Sequence, residues 1–223
     1  LPLRFGESVA MADEQTLVAQ VDAERTSSRR RVLDLGCGRN KQPGAIGVDR
    51  DPASQADVLC DLDQVPHSFR ADSFDEIHLH HVIEHLGDVV SVVGELWRIG
   101  RHGCRVLVAT PHFSSVHSYT DPGHRQRLAR GSFDQVCKDL PPGRSIEVVR
   151  KEIRFHPGYF WSWPALLIYR ISPNKYEKFF AFLFPARELV FELRIVKGPE
   201  TEDRRPEAVP SPPSPVVHST DRH

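Results

Sequence analysis

The chain has 223 residues, 29 basic and 30 acidic, and a formal net charge of −1. A near-neutral chain of this length supports one domain with a real core, with room for an inserted cap, and lacks the basic surplus of a nucleic-acid funnel. There is no run of about 18 apolar residues to span a bilayer and no basic-then-apolar opening to mark a secretory signal. The four cysteines (Cys37, Cys60, Cys104, Cys137) are scattered, with no C-x-x-C pair, so a reducing, cytoplasmic setting is expected.

Residues 1–30 form a weak opening in which Leu17, Val18 and Val21 share one helical face, enough for a short amphipathic helix. Arg29 to Arg31 read as a solvated edge. An α/β pattern follows. Short apolar runs predict strands at Val32–Leu35, Ile46–Asp49, Asp57–Asp61 and Glu76–His80, the first with Asp34 beside its end and the next two closed by an acid. Val89–Ile99 carries Val89, Val92, Val93 and Leu96 on one stripe and predicts a helix, ended by Gly100 and Gly103. Arg105–Ala109, Ile146–Phe155 and Leu189–Val196 predict three more strands. Alternation of this kind argues for a mainly parallel sheet.

The connections after the first and second strands are about ten and about eight residues long, short of the dozen that a helical crossover needs. Loops are expected there, with one sheet face thinly covered. Residues 154–196 hold 12 of the 19 aromatic residues. The stretch 156–187 is read as an aromatic-rich insertion before the last strand, serving as a satellite core, a dimer face, or a lid over a substrate pocket. From Gly198 the chain carries six of the 18 prolines, five acids, three bases and no aromatic residue, the composition of a disordered tail. Without it 26 basic and 25 acidic residues remain. The expected organisation is thus an N-terminal segment (1–30), an α/β domain (31–197) and a tail (198–223).

The strongest chemical signal is Val32-Leu33-Asp34-Leu35-Gly36-Cys37-Gly38, a strand entering a turn with glycine at alternate positions. Glycine serves where the chain turns sharply or a ligand approaches the backbone, and ligands of open α/β sheets sit beyond the carboxyl ends of the strands. A nicotinamide dinucleotide fingerprint requires a third glycine at position 41, where Lys41 stands, and Pro43 and Gly44 disfavour the helix that holds a pyrophosphate.

The ordered set DLGCG at 34–38, VD at 48–49, CDLDQVP at 60–66, SFDEIHLHHVIEHL at 73–86, ELWRIGRHGCRVLVATP at 95–111 and YTDPGH at 119–124 resembles the class I S-adenosylmethionine-dependent methyltransferases, in particular the small ubiquinone/menaquinone-methyltransferase type. The likeness covers about residues 31–135. It implies a Rossmann-like seven-stranded sheet in the order 3-2-1-4-5-7-6 with one antiparallel strand. It also implies S-adenosylmethionine as cofactor and S-adenosylhomocysteine as product. By resemblance Gly36, Cys37 and Gly38 line the methionine moiety, with Asp34 beneath the turn. Asp49, followed by Arg50, accepts bonds from the ribose hydroxyls, Asp61 and Leu62 meet the adenine, and His80 and His81 flank the methionine. The chain departs from the family at Asn40, where a third glycine is common, and in lacking room for the usual first helix.

Eight of the 12 histidines fall between residues 78 and 124. Those after the fourth and fifth strands are placed at the cofactor edge, where titratable groups are candidate acids and bases. Methyl transfer is a displacement at carbon to which the protein contributes alignment and desolvation, and a hydroxyl acceptor must also lose a proton. His112 is the leading candidate base, then His124 with Asp121 to orient it, and Tyr119 is a candidate to position the acceptor. His81 and His85, four apart, suit a helix face to which His112 or His124 adds a third nitrogen. The run between them is not H-E-x-x-H, and no metal is expected. The expected partner is a small or lipid-linked acceptor methylated at oxygen, with a homodimer possible and no nucleic acid, since no N-P-P-Y-like motif for an extruded base is present. The alternatives are a non-catalytic cofactor-binding regulator and an NAD-dependent oxidoreductase.

Overall fold

A seven-stranded sheet organises the computed structural model, which describes residues 30–160 and 162–198. The helix expected near Leu17 and the tail from residue 199 lie outside the described residues. The strands are β1 (Val32–Leu35), β2 (Ile46–Asp49), β3 (Val58–Leu59), β4 (Phe74–His80), β5 (Gly100–Pro111), β6 (Ser145–Arg154) and β7 (Glu188–Val196). Their spatial order is β3-β2-β1-β4-β5-β7-β6. β3 to β5 run parallel, and β7 lies antiparallel between β5 and β6. Order and antiparallel strand both agree with the architecture that the sequence implies. The β1 strand sits between two neighbours, and Leu33 and Leu35 are fully buried, which is why every residue of it but Asp34 is apolar.

Helix α1 (Val89–Ile99) covers the sheet after β4. Asp88 caps it, with Oδ1 accepting from Ser91 N at 2.9 Å and Oδ2 from Ser91 Oγ at 2.6 Å. Val92, Val93, Leu96 and Ile99 form its buried stripe. The chain then enters β5 directly. This strand starts five residues before the expected Arg105, because Gly100 pairs with Phe74 ahead of a register shift.

Among the described residues no helix connects β1 to β2, β2 to β3 or β3 to β4. Side chains and main chain tie these loops together instead. Gly36 N and Cys37 N both donate to Val48 O, and Lys41 Nζ pairs with Asp57 at 2.8 Å. Leu59 remains 60% exposed, so the edge is as thinly covered as the short connections lead one to expect. The β3 strand is two residues long rather than five. Asp57 Oδ2 accepts from Gly47 N of β2, and Asp61 Oδ1 accepts from Asp63 N, so a cross-strand bond closes one end and a turn bond the other.

Beyond β5 lie α2 (His117–Thr120) and α3 (Ser132–Lys138), the latter not anticipated: at seven residues it buries only Phe133, too little for a periodic signal. The insertion comprises α4 (Ser162–Ile171), α5 (Pro173–Lys175) and a π-helical turn (Tyr176–Phe180). It is partly a satellite core. Tyr176 is fully buried, its hydroxyl donates to Phe184 O at 2.7 Å, and its ring meets Phe155 edge-on at 5.2 Å. Its outer face leaves Phe160, Trp163, Ile171, Phe179 and Phe182 exposed. No helix among the described residues is long and apolar enough to cross a membrane.

Candidate cofactor and acceptor site

The turn after β1 is shaped by two glycines with left-handed backbone, Gly36 at φ +66° and Gly38 at φ +52°. A Cβ on Gly36 would stand 2.2 Å from Val82 Cγ2, so the turn and the loop after β4 touch only because Gly36 has no side chain. A Cβ on Gly38 would meet nothing within 4 Å. Asp49, at the end of β2, holds the turn from one side: Oδ2 accepts from Gly38 N at 2.8 Å and Oδ1 from Asp51 N at 2.9 Å. Asp34 holds it from below, buried, with Oδ2 accepting from Gln42 N at 2.8 Å. Cys37 is buried within the turn, and burial, then the carboxylates of Asp34 and Asp49, push its thiol up.

A cleft of about 160 Å³ opens beside this turn. It brings together Gly36, Asp49, Arg50, Asp61, Leu62 and His81 from the predicted set. Asp63, His85 and Leu86 also line it and were not singled out for the cofactor. Asp63 had a local signal, in the same post-β3 turn as Asp61. It clamps the cleft by accepting from Gly87 N at 2.8 Å and from Arg125 Nη1 at 3.2 Å. His80 is outside the lining, stacked on His78 at 5.6 Å, and its pKa is lowered, first by burial and then by His78.

His81 adopts φ +56°, rare for a residue with a side chain. Its Nε2 lies 3.2 Å from Glu188 Oε1 and its Nδ1 3.3 Å from Glu84 Oε1. Bonding to Glu188 and then Glu84 raises its pKa to about 9 against the pull of burial, so an imidazolium stands here at neutral pH. The same bond to His81 is the main reason the Glu188 carboxyl is held low. His81 and His85 separate the cleft from a second cavity of about 660 Å³, lined also by Glu84, His117, Asp121 and His124. A third cavity, of about 730 Å³, shares Arg187 and Glu188 with the second and runs along Phe155, Tyr159 and Trp163 of the insertion.

The histidines expected to act on an acceptor separate here. His112 lies outside the lining of the second cavity and is fully buried. Its Nδ1 takes Ser114 N at 3.1 Å and Ser114 Oγ at 2.8 Å, and its Nε2 reaches Glu177 Oε1 at 3.2 Å. Both ring nitrogens are engaged, which makes it a strut between β5 and the insertion. His124 lines the cavity, 4.6 Å from the His85 ring, and its buried Nδ1 has no hydrogen-bond partner. Asp121 shapes the turn rather than gripping that nitrogen: Oδ1 accepts from Gly123 N at 2.7 Å. Tyr119 is exposed, with the Arg127 guanidinium over its ring at 4.9 Å.

No protein-family model and no curated protein sequence matches the chain. Solved structures do. The YcgJ protein from Bacillus subtilis is 15% identical, with 82% of this chain and 99% of that one covered and a TM-score of 0.50. A SAM-dependent methyltransferase from Archaeoglobus fulgidus is 18% identical, with 81% and 94% covered and a TM-score of 0.50. The fold is that of the class I methyltransferases. The [4+2]-cyclase SpnF shares it, at 16% identity and a TM-score of 0.50, so in this fold the residues at the strand ends decide the reaction.

Proposed function

We propose that the chain is an S-adenosylmethionine-dependent methyltransferase acting on a small or lipid-linked acceptor, at oxygen. The observation that carries this reading is the cleft at the switch of strand order. There a glycine turn held by Asp34 and Asp49 opens beside Arg50, Asp61 and Leu62. The residues fit the cofactor in kind. Each Asp49 oxygen accepts one backbone bond and keeps a lone pair for a ribose hydroxyl. Leu62 offers an apolar wall and Asp61 an acceptor to an adenine. When bound, the cofactor supplies an electrophilic methyl group on a sulfonium.

The chain's own residues do the rest. The turn around Gly36 and Gly38 would hold the methionine end of the cofactor beside His81, which lines both the cleft and the second cavity. The acceptor occupies that cavity, and the aromatic wall of the third takes its apolar part, which excludes water from the reacting atoms. His112 is engaged on both nitrogens and His81 is held between two carboxylates, so neither is free to take the acceptor's proton.

Calorimetric titration with S-adenosylhomocysteine, and separately with NAD, tests the assignment. Saturable binding of the first and none of the second is expected, and binding of NAD alone overturns it. Asp49→Ala should weaken S-adenosylhomocysteine by about 1–3 kcal/mol through lost charge-assisted bonds. Unchanged affinity in the folded variant would remove Asp49 from the ribose. Binding with no turnover across a broad acceptor screen would favour a regulatory protein.

A further inference from the structure

Among the described residues, Glu84, His85 and His124 present ligand atoms that all lie within 4.8 Å of one another. Three atoms so spaced share a point within about 2.8 Å of each, so shifts of under about 1 Å reach the bond lengths of about 2.0–2.2 Å that zinc forms with imidazole and carboxylate. Two imidazoles and one carboxylate are the ligands of catalytic zinc and of related non-haem metal sites, whereas magnesium and calcium favour all-oxygen sets.

The supporting bonds leave these atoms available. His85 Nδ1 lies 3.2 Å from Gly123 O, the geometry of an N–H donating to a carbonyl, which leaves Nε2 with a free lone pair. Glu84 is 1% exposed. Its Oε2 accepts from Thr110 Oγ1 at 3.1 Å, and its buried Oε1 faces His81 Nδ1 at 3.3 Å. His124 Nδ1 is buried and without a partner. A buried nitrogen left this way costs stability unless something completes it. The main chain enforces the grouping: Arg125 N and Gln126 N both donate to Glu84 O, at 2.7 and 2.9 Å, which presses the loop carrying His124 onto the turn carrying Glu84 and His85.

We propose that Glu84, His85 and His124 form a binding site for one divalent transition-metal ion of the zinc class. The ion sits at the wall between the cofactor cleft and the 660 Å³ cavity, since His85 lines both and Glu84 and His124 line the cavity. Its remaining coordination position faces that cavity, where a water or an acceptor oxygen completes the shell. The ion completes the unpartnered His124 Nδ1 and shares the Glu84 carboxylate with His81. The site stands on side-chain placement and does not depend on methyl transfer.

The test uses Zn²⁺ and Co²⁺ alone on the full chain, stripped with a chelator, with no cofactor added. One ion bound per chain by calorimetry is expected, together with the visible absorption of a low-symmetry Co²⁺ centre. Loss of a supporting second-sphere partner alone lowers metal affinity about 10–100-fold, so His85→Ala and His124→Ala should each weaken binding at least about 100-fold. His102→Ala, and the pair His218→Ala and His223→Ala, should leave it unchanged. Circular dichroism melts establish that each variant is folded, and His124→Gln stands in if His124→Ala is not. Absence of stoichiometric binding to the unmodified chain overturns the proposal. So does binding that survives both His85→Ala and His124→Ala, or that vanishes with the two C-terminal histidines.

Discussion

Replacing Gly36 by alanine tests the join between the cofactor turn and the loop after β4. The added methyl meets two penalties. At φ +66° a residue with a Cβ costs about 1–2 kcal/mol in backbone energy. The new Cβ also stands 2.2 Å from Val82 Cγ2, and an extra methyl forced into packed surroundings costs about 1–3 kcal/mol. Gly38→Ala is the internal control, because its φ of +52° carries the first penalty while its Cβ meets nothing within 4 Å. The difference between the two variants isolates the packing penalty, about 1–3 kcal/mol, a large part of a domain stability of about 5–15 kcal/mol. Urea unfolding reads it as a lower midpoint at unchanged slope. Val82→Ala in the Gly36→Ala background should restore part of the loss, since it removes the atoms at 2.2 and 3.2 Å and leaves only Cβ at 3.3 Å. The coupling is measured in a double-mutant cycle. Equal losses for the two glycine variants, or no coupling with Val82, would refute the close approach.

Two further outcomes are expected. His112→Ala should lower stability by about 1–3 kcal/mol, because it strands Ser114 and Glu177 in a buried network, while S-adenosylhomocysteine affinity stays unchanged; an equally stable variant would show that His112 is no strut. Asp88→Ala should cost about 0.5–2 kcal/mol at neutral pH through the lost cap of α1. The bonds from Ser91 hold the Asp88 carboxyl below its usual range. Its contribution is therefore complete above the unfolded value of about 3.9 and is lost as pH falls through the folded one. The stability gap between Asp88→Ala and the unmodified chain should narrow on acidification to about pH 3, and a constant gap would mean that the carboxylate's charge plays no part in the cap.

Features with local causes were legible in the residues. The β1 turn is one continuous motif, and α1 shows its apolar stripe within a dozen positions. The strand order followed from the family likeness carried by those motifs rather than from any single strand. Where a partner distant in sequence sets the outcome, the residues alone misled. The start of β3 is drawn in by Asp57 accepting from Gly47 N, 10 residues back on β2. His112 has the position of a reaction-edge base, yet Glu177, 65 residues on, helps to hold its ring inside the core.

The histidines divide along the same line. Their concentration between residues 78 and 124 is a fact of sequence, and it pointed to the edge of the sheet where β4 and β5 end. Which of them share a site is a matter of tertiary structure. His81 is bound by Glu188 from the start of β7, and His124 reaches His85 because two backbone N–H groups fasten its loop to Glu84 O. The sequence by itself determined the turn, the acids at the strand ends and the aromatic insertion, since each depends on neighbours within a few residues. Only the fold decided which imidazoles keep a free nitrogen, because that depends on what packs against them from remote parts of the chain.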